Sequence, residues 1–255
     1  MSFVMPVVSV CPMRKEAAHR SEMVSQLLFG ELATVLETSG DFVRVHTLYD
    51  EYEGWCQQSQ LVFMEEAPAI HTNQLSKGWS SVVQVNGADM MIGAGTPLDL
   101  FSGNALSMPG FHFEYHSAGW QPGNAKFEEE QITTIALQYL NTAYLWGGRT
   151  VFGIDCSGFA QQVFRHFGIR LPRDAYQQAA IGETIGFLQE AHCGDLAFFD
   201  NPEGRITHVG IMLSADTIIH ASGQVRIDPI DNMGIVHAQT GKRTHQLRII
   251  KRYEQ

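Results

Sequence analysis

Residues 144–168 read YLWGGRTVFGIDCSGFAQQVFRHFG, and this stretch decides the fold. Apolar residues at 159, 163, 164 and 167 recur at helical spacing, which predicts a helix with one buried face. Asp155 is a favourable N-cap and Gly168 a favourable stop, so the helix is predicted from about Cys156 to Phe167. The thiol of Cys156 would lie in the first turn, where backbone N–H groups and the helix dipole favour the thiolate. A buried structural cysteine is the competing interpretation.

Two histidines downstream favour a catalytic cysteine. They are His208 and His220, on predicted strands at 206–213 and 217–222 that are joined by a turn. A nucleophilic cysteine needs a base, and the base needs an orienting group. A single histidine in a strand is usually a core residue. One cysteine at a helix start and two histidines on adjacent strands together supply all three parts.

At these residues the sequence resembles the NlpC/P60 family of papain-like cysteine peptidases. The matching segments lie in the family's order between about 125 and 225: Tyr144-x-Trp-Gly-Gly, Asp155-Cys-Ser-Gly-Phe, Leu171-Pro-Arg, Gly194-Asp-Leu-x-Phe-Phe, His208-Val-Gly-Ile and Ile219-His-Ala. The resemblance implies that Cys156 is the nucleophile, His208 the base and His220 the third polar residue.

The resemblance also implies residues on the substrate side of the cleft. Tyr144 would line the cleft, with a core aromatic as the alternative role. The residue that corresponds to Asp155 in close relatives faces the peptide's amine, although Asp155 could serve only as a helix cap. Ser157 could offer its hydroxyl or backbone N–H to the substrate. The backbone N–H of Cys156 is the expected donor to the oxyanion.

Other polar residues near these motifs have more ordinary expected roles. His166 is expected to interact with the helix dipole at the helix C-terminus. Arg173 and Asp174 could touch a substrate carboxylate or pair with each other. His192, His237 and His245 are expected to be solvated.

Composition and charge limit the possible partners. The 255 residues are 44% hydrophobic and 17% charged, as in a globular protein. The formal net charge of −10 argues against nucleic acid or an anionic membrane as a partner. Four cysteines without a C-x-x-C pair or zinc-site spacing predict no metal and no cofactor. The oligomeric state is left open.

The N-terminal segment does not read as a signal peptide. No basic region precedes its apolar part, and Pro6 and Pro12 interrupt it. No later apolar run reaches the roughly 18 residues of a transmembrane helix. A cytoplasmic location is therefore expected, and unpaired cysteines fit a reducing compartment.

Two β-rich regions precede the catalytic region. Region 1–66 resembles a bacterial SH3-like domain, 67–77 is a predicted linker, 78–122 is a second SH3-like β segment, and 123–255 is the catalytic domain. The predicted strands lie at 7–10, 32–36, 42–46, 81–85, 90–92, 97–101 and 111–115, with a glycine-bearing loop at 102–110. A helix at 126–140, a short helical piece at 175–180 and strands at 194–199 and 246–250 complete the prediction.

The predicted fold is therefore α+β: a papain-like NlpC/P60 catalytic domain preceded by two small SH3-like β-barrels. This layout resembles γ-D-glutamyl-L-diamino acid endopeptidases. The resemblance implies a cysteine endopeptidase that cleaves free murein stem peptides with an N-terminal L-Ala, in cell-wall peptide recycling or breakdown. The alternative is a wall-binding SH3-like module with weak activity or with a different one, such as amidase or acyl transfer.

The first SH3-like domain is expected to contribute to the active site. In close relatives a Glu and a Tyr from this domain meet the free α-amine of the peptide. The matching positions are Glu22 and Tyr52, with Tyr49 as an alternative to Tyr52. The ordinary interpretation is a surface glutamate and an aromatic residue on a barrel face.

Overall fold

The structure is a computed structural model that describes residues 2–253. The chain forms two compact units, Met1–Asn124 and Ala125–Gln255. The described residues contain twenty-two strands and three α-helices, of nine, ten and five residues. The chain is thus mostly β, and the predicted α+β class is confirmed only in part.

The first half of unit 1 is an antiparallel sheet of seven strands in the order β3-β2-β6-β5-β4-β1-β7. Its strands are β1 Phe3–Pro6, β2 Val10–Arg14, β3 Met23–Leu28, β4 Ala33–Ser39, β5 Phe42–Thr47, β6 Glu53–Gln57 and β7 Leu61–Met64, with a 3-10 turn at Gln58–Gln60. The strand predicted at 7–10 is wrong in position, because the chain bends at 7–9 between β1 and β2. Val4, Val43 and Val45 belong to the buried core of this sheet.

The second half of unit 1 packs around aromatic residues. Its strands are β8 Leu75–Ser76, β9 Ser80–Val85, β10 Ala88–Gly93, β11 Ala105–Met108, β12 Phe111–Glu114 and β13 Gly119–Trp120, followed by a 3-10 turn at Pro122–Asn124. Strands β9 to β12 form one sheet in the order β10-β9-β12-β11, and β8 pairs with β13. Its core includes Phe113 and also Met5 and Phe29 from the first half, so the two halves of unit 1 share a core.

One strand prediction and one loop prediction in this half are wrong. Segment 97–101 is not a strand, although Leu98, Leu100 and Phe101 are buried. These side chains enter the core from a loop whose backbone makes an isolated bridge from Pro97. The predicted loop at 102–110 contains β11 instead, in which Leu106 is buried.

Unit 2 places three helices beside a curled antiparallel sheet. Its elements are α1 Glu129–Leu137, β14 Arg149–Thr150, β15 Gly153–Ile154, α2 Cys156–Arg165, α3 Ala175–Ala179, β16 Glu183–Ile185, a 3-10 turn at Leu188–Glu190, β17 Leu196–Asp200, β18 Ile206–Ser214, β19 Thr217–Ser222, β20 Gln224–Asp231, β21 Gly234–Val236 and β22 Arg243–Arg252. The large sheet has the order β16-β22-β17-β18-β19-β20-β21. Strand β21 also pairs with β22, so the sheet closes back on itself.

Helix α2 begins and ends for reasons that its sequence carries. Asp155 is the N-cap, and its side chain accepts a hydrogen bond from the N–H of Gly158 at 2.7 Å. Gly168 adopts a φ of 75°, and the N–H of Ile169 then reaches the carbonyl of Phe164. The predicted cap and stop are confirmed. All ten helical residues are buried, whereas the pattern predicted one buried face.

The close pairing of β18 and β19 depends on Gly210, which lies opposite His220 in the register. A methyl group at position 210 would lie 2.7 Å from Ile218 Cδ1 and 2.8 Å from His220 Cβ. His220 Cβ is fixed to the backbone of β19, and Ile218 is fully buried, so its terminal methyl has little space to move away. Glycine therefore allows the two strands to pack with His220 in place.

We predict that Gly210→Ala lowers the free energy of unfolding by roughly 1–3 kcal/mol, because the added methyl overpacks this contact. Gly186→Ala is the matched control, since the nearest atom to the added methyl would be Glu190 Oε2 at 3.9 Å. Urea unfolding of both variants measures the effect. An unchanged midpoint for Gly210→Ala would contradict the packing argument.

Candidate active site

Cys156 is the first residue of α2 and is buried. Burial, followed by the charge of Asp155, raises the pKa of the thiol to about 12. Hydrogen bonds from the backbone N–H groups of Val209 and Ser157 act in the opposite direction. The expected shift toward thiolate is therefore wrong for the resting protein, because burial outweighs the donors at the helix start. A base must remove the proton of Cys156 for it to act as a nucleophile.

His208 and His220 meet on adjacent strands. His208 lies on β18 two residues before Gly210, and Gly210 is opposite His220 on β19. Because side chains alternate along a strand, the two histidines are diagonal neighbours on one face of the sheet. Their Nε2 and Nδ1 atoms are 2.8 Å apart, and both side chains are buried. The structure thus joins two of the predicted catalytic residues directly.

His208 is held in its neutral form. Burial, followed by the neighbouring His245 and His220, lowers the pKa of His208 well below 6.5. Its ring stacks on that of His245, with centroids 4.1 Å apart and planes 23° apart. The Phe199 ring is tilted against that of His208 and meets that of His245 edge to face. A neutral imidazole is the form that can accept a proton from a thiol.

His245 corrects one expectation from the sequence. It was expected to be solvated, but it is half-buried on β22 beside His208. Burial and then His220 lower the pKa of His245 to about 4. His237 is also partly buried and lies 2.8 Å from Arg226, whereas His192 is exposed as expected. Closure of the sheet, which the hydrophobic pattern of the sequence did not predict, brings β22 next to His208.

Asp228 is a site residue that the sequence analysis missed. It lies on β20 with 1% of its surface exposed, and its Oδ2 atom is 3.0 Å from Nε2 of His220. Arg226 donates to both carboxylate oxygens, and the N–H of Ala238 donates to Oδ1. Burial opposes ionisation, but the hydrogen bonds from His220, Arg226 and Ala238 hold the pKa of Asp228 below its ordinary value.

A signal for Asp228 was present in the sequence. Arg226 and Asp228 are two residues apart, so a strand places their opposite charges on one face. Arg226 is opposite His220 in the register of β19 and β20. The arrangement can be recognised only once β20 is identified as a strand. Pro229 lies within β20, and proline is unfavourable inside a strand, so the sequence did not indicate one here.

Asp155 links three parts of the site. Its Oδ1 accepts hydrogen bonds from Gly158, Ser157 and Arg173, and its Oδ2 accepts from Gly147 and Arg173. Five donors meet the roughly four lone-pair positions of a carboxylate. A substrate amine would therefore have to displace one of them. The role of Asp155 toward substrate stays a prediction, and its role in holding the loop and helix is direct.

Ser157 and Arg173 complete this buried cluster. The Nη1 atom of Arg173 donates to Oγ of Ser157 at 2.9 Å. Arg173 pairs with Asp155 at 2.6 Å, and this ion pair is buried. Arg173 donates its hydrogen bonds to Asp155, whereas the charge of Asp174 makes a smaller favourable contribution to Arg173. The backbone N–H of Cys156 has no hydrogen-bond partner among residues 2–253.

Tyr144 lies near the nucleophile. Burial, followed by the charges of Cys156 and Asp155, raises the pKa of its phenol. The ring is half-buried, and the backbone N–H bonds to the carbonyl of Gly223. This position is compatible with a side chain that lines the cleft.

Glu22 and Tyr52 lie in unit 1. Glu22 precedes β3 at the surface, with its carboxylate 3.7 Å from Nζ of Lys15. Tyr52 precedes β6 and is partly buried against the core of the first sheet. Their expected contact with a substrate amine stays a prediction.

His166 has a different role from the one expected. It is the C-cap residue of α2 and is buried, and its Nδ1 atom lies 2.9 Å from the carbonyl of Gln162. Burial lowers the pKa of His166 to about 4, so the ring is neutral at ordinary pH. A neutral ring cannot act as the cation that stabilises a helix C-terminus.

Three histidines of the site could in principle hold a metal ion. Ligand nitrogens of His208, His220 and His245 lie within 4.8 Å of one another. However, the His208 and His245 rings are nearly parallel, so their in-plane lone pairs do not converge on one point. His220 already uses both nitrogens in hydrogen bonds. This arrangement suits proton transfer better than metal coordination.

No helix within residues 2–253 is long and apolar enough to cross a membrane. Residues 141–244 match the model of the NlpC/P60 family. Residues 13–61 match the bacterial dipeptidyl-peptidase SH3 domain. The two matches fall in units 2 and 1, respectively.

Two curated relatives extend the similarity over most of the chain. The chain is 31% identical over 215 residues to a γ-D-glutamyl-L-lysine dipeptidyl-peptidase of Bacillus subtilis, covering 77% of this chain and 71% of the relative. It is 26% identical over 254 residues to a protein of the same name from Bacillus cereus, covering 88% and 76%.

A solved structure has the same fold. An NlpC/P60 family protein from Bacillus cereus superimposes with a TM-score of 0.80 at 19% identity, covering 98% of this chain and 99% of that chain. The predicted resemblance is confirmed, and the chain belongs to the NlpC/P60 family of peptidases, with a bacterial SH3-type domain ahead of its peptidase domain.

Proposed function

We propose that this peptidase is a cysteine endopeptidase that cleaves the γ-D-glutamyl–L-diamino acid bond of free murein stem peptides. The proposal rests on one observation: the buried thiol of Cys156 at the start of α2 accepts from the backbone N–H of Val209, the residue after His208, and His208 is itself hydrogen-bonded to His220. The names of the two Bacillus relatives support the choice of bond. We further propose that the helix-borne cysteine and strand-borne histidines form a papain-like site.

The proposed reaction is acyl transfer through a thioester. His208 takes the proton of Cys156, and the thiolate attacks the γ-carbonyl carbon of D-Glu. The tetrahedral intermediate expels the amine of the diamino acid, which takes the proton from His208. Water then attacks the thioester, with His208 again as base, and releases the dipeptide and the thiol.

The start of α2 supplies the donor that this reaction needs. The backbone N–H of Cys156 has no partner among the described residues, so it can donate to the oxyanion of the intermediate. Preorganised donors of this kind stabilise developing negative charge strongly. Asp155 keeps the helix start and the Gly147 loop fixed relative to each other.

We propose that Glu22 and Tyr52 recognise the free α-amine of an N-terminal L-Ala. A carboxylate at the end of a closed pocket would select a charged amine and would exclude peptides still linked to sugar. Tyr144, Asp155 and Ser157 are the proposed substrate contacts from unit 2. Specificity for free peptides fits a role in cell-wall peptide recycling in the cytoplasm, which is part of the proposal.

Cys156→Ala is expected to reduce hydrolysis of L-Ala-γ-D-Glu-diaminopimelate to background, because the nucleophile is lost. Cys193→Ala is the control, since that partly exposed thiol lies near Thr133. Because the pKa of Cys156 is raised, its alkylation by iodoacetamide should accelerate steadily between pH 7 and pH 10 (about tenfold per unit while the thiol predominates). Full activity of Cys156→Ala would end the cysteine-peptidase proposal.

The pH profile should reveal the lowered pKa of His208. Only the neutral ring can act as base, so kcat/KM should stay at its plateau at pH 6 and fall as pH drops through the lowered pKa. His245 contributes to this lowering, so His245→Phe should move the acid limb to higher pH. A wild-type limb centred at or above pH 6.5 would contradict the assignment.

Acetylation of the peptide's N-terminus tests amine recognition. In the proposed complex the peptide's amine covers the exposed Glu22 carboxylate, and loss of one partner of such a desolvated pair costs roughly 2–5 kcal/mol, so kcat/KM should fall about 30-fold or more on the N-acetylated peptide. Glu22→Gln should produce a comparable loss on the free peptide. Glu37→Gln, an exposed glutamate paired with Arg44 in the same unit, is the control. Equal rates on both peptides, with Glu22→Gln unaffected, would refute this part of the proposal.

A further inference from the structure

We propose that Asp228 is a positioning residue that sets the tautomers of His220 and His208, so that Nδ1 of His208 receives the proton of Cys156. The inference rests on the proposed function, in which His208 is the base. It adds a fourth member to the Cys156, His208 and His220 set, from a strand that the motifs of the family resemblance do not include.

A histidine in the orienting position does not by itself determine which ring nitrogen carries the proton. A neutral imidazole donates at one nitrogen and accepts at the other, so Nδ1 of His220 could either accept from His208 or donate to it. Only acceptance leaves His208 protonated at Nε2 and free to accept at Nδ1. The opposite arrangement would protonate Nδ1 and block the base. A further residue must therefore select one of the two arrangements.

The contacts of Asp228 make this selection. An ionised carboxylate can only accept, so the 3.0 Å contact with His220 requires a proton on Nε2 of His220. Nδ1 of His220 must then accept, and the 2.8 Å contact with His208 requires a proton on Nε2 of His208. Nδ1 of His208 is left as the basic nitrogen.

Arg226 keeps Asp228 in the role of acceptor. Its Nε and Nη2 atoms donate to the two carboxylate oxygens at 2.7 and 2.8 Å, and the N–H of Ala238 adds a third donor at 2.8 Å. These donors stabilise the ionised carboxylate, so His220 donates a hydrogen bond to Asp228 without transferring its proton. The guanidinium also balances the buried charge, so His220 need not become a cation to do so.

The proton balance of the step is simple. The S–H bond of Cys156 breaks, and its proton forms an N–H bond at Nδ1 of His208. The resulting imidazolium keeps its Nε2–H on His220, and His220 keeps its Nε2–H on Asp228. No proton reaches Asp228, which remains ionised throughout.

The first test reads the tautomers in the wild-type protein. Two-bond ¹H–¹⁵N correlation spectra of histidine-labelled protein at pH 7.5 should show His208 and His220 both protonated at Nε2 and bare at Nδ1. Protonation of Nδ1 on either ring would overturn the proposal. This measurement requires no substrate, so an error in the proposed substrate would leave it intact.

The second test compares Asp228→Asn with Asp231→Asn. The amide keeps two donors, Nη2 of Arg226 and the N–H of Ala238, when its oxygen takes the place of Oδ1. Its N–H₂ then takes the place of Oδ2 and faces His220, at the loss of the bond from Nε of Arg226, which would reverse both tautomers. We expect kcat to fall on the order of 10²-fold with KM nearly unchanged, and the ¹⁵N spectrum to show the reversed tautomers. Alkylation of Cys156 by iodoacetamide should also slow at pH 7.5.

Asp231 is the matched control because it lies on the same strand and accepts from both Nη atoms of Arg243 at 2.7 Å. Within the described residues it contacts no histidine, so Asp231→Asn should leave kcat and the histidine spectrum unchanged. A folded Asp228→Asn protein with wild-type kcat, or equal losses in both variants, would overturn the proposal. If Asp228→Asn does not fold, the wild-type spectrum decides alone.

Discussion

The hydrogen bond between His208 and His220, 2.8 Å long, is the interaction on which the site depends. It requires two strands in a register that places Gly210 opposite His220, and it requires glycine there to leave space for Cβ of His220 and for the Ile218 side chain. It also requires burial, which keeps His208 neutral. This hydrogen bond therefore depends on the strand register, on the packing at Gly210 and on the burial of both rings.

Burial has opposite consequences for the pKa values of Cys156 and His208, the proposed nucleophile and base. It raises the pKa of Cys156 and lowers that of His208, so both are uncharged at rest. An uncharged pair is stable in a dry site, since an isolated buried charge is costly. The ionic form then arises only when the proton moves during the reaction. Two ion pairs of the site, Asp155 with Arg173 and Asp228 with Arg226, combine opposite permanent charges at short distance.

Local features of the sequence predicted α2, because its cap, its apolar spacing and its stop lie within thirteen residues of Asp155. The strands of His208 and His220 were predictable for the same reason. Asp228 was missed because Pro229 obscured its strand and only the register reveals its neighbour. The state of Cys156 was mispredicted because burial depends on the whole fold. The position of His245 likewise depends on closure of the sheet through β21 and β22.

We propose that Cys156 carries the acyl group during turnover. Acid quenching of the enzyme milliseconds after mixing with L-Ala-γ-D-Glu-diaminopimelate, followed by mass spectrometry of its peptides, tests this directly. We expect an L-Ala-D-Glu acyl adduct on the peptide that contains Cys156 and on no other cysteine peptide. Product formation with the adduct on another residue would contradict it.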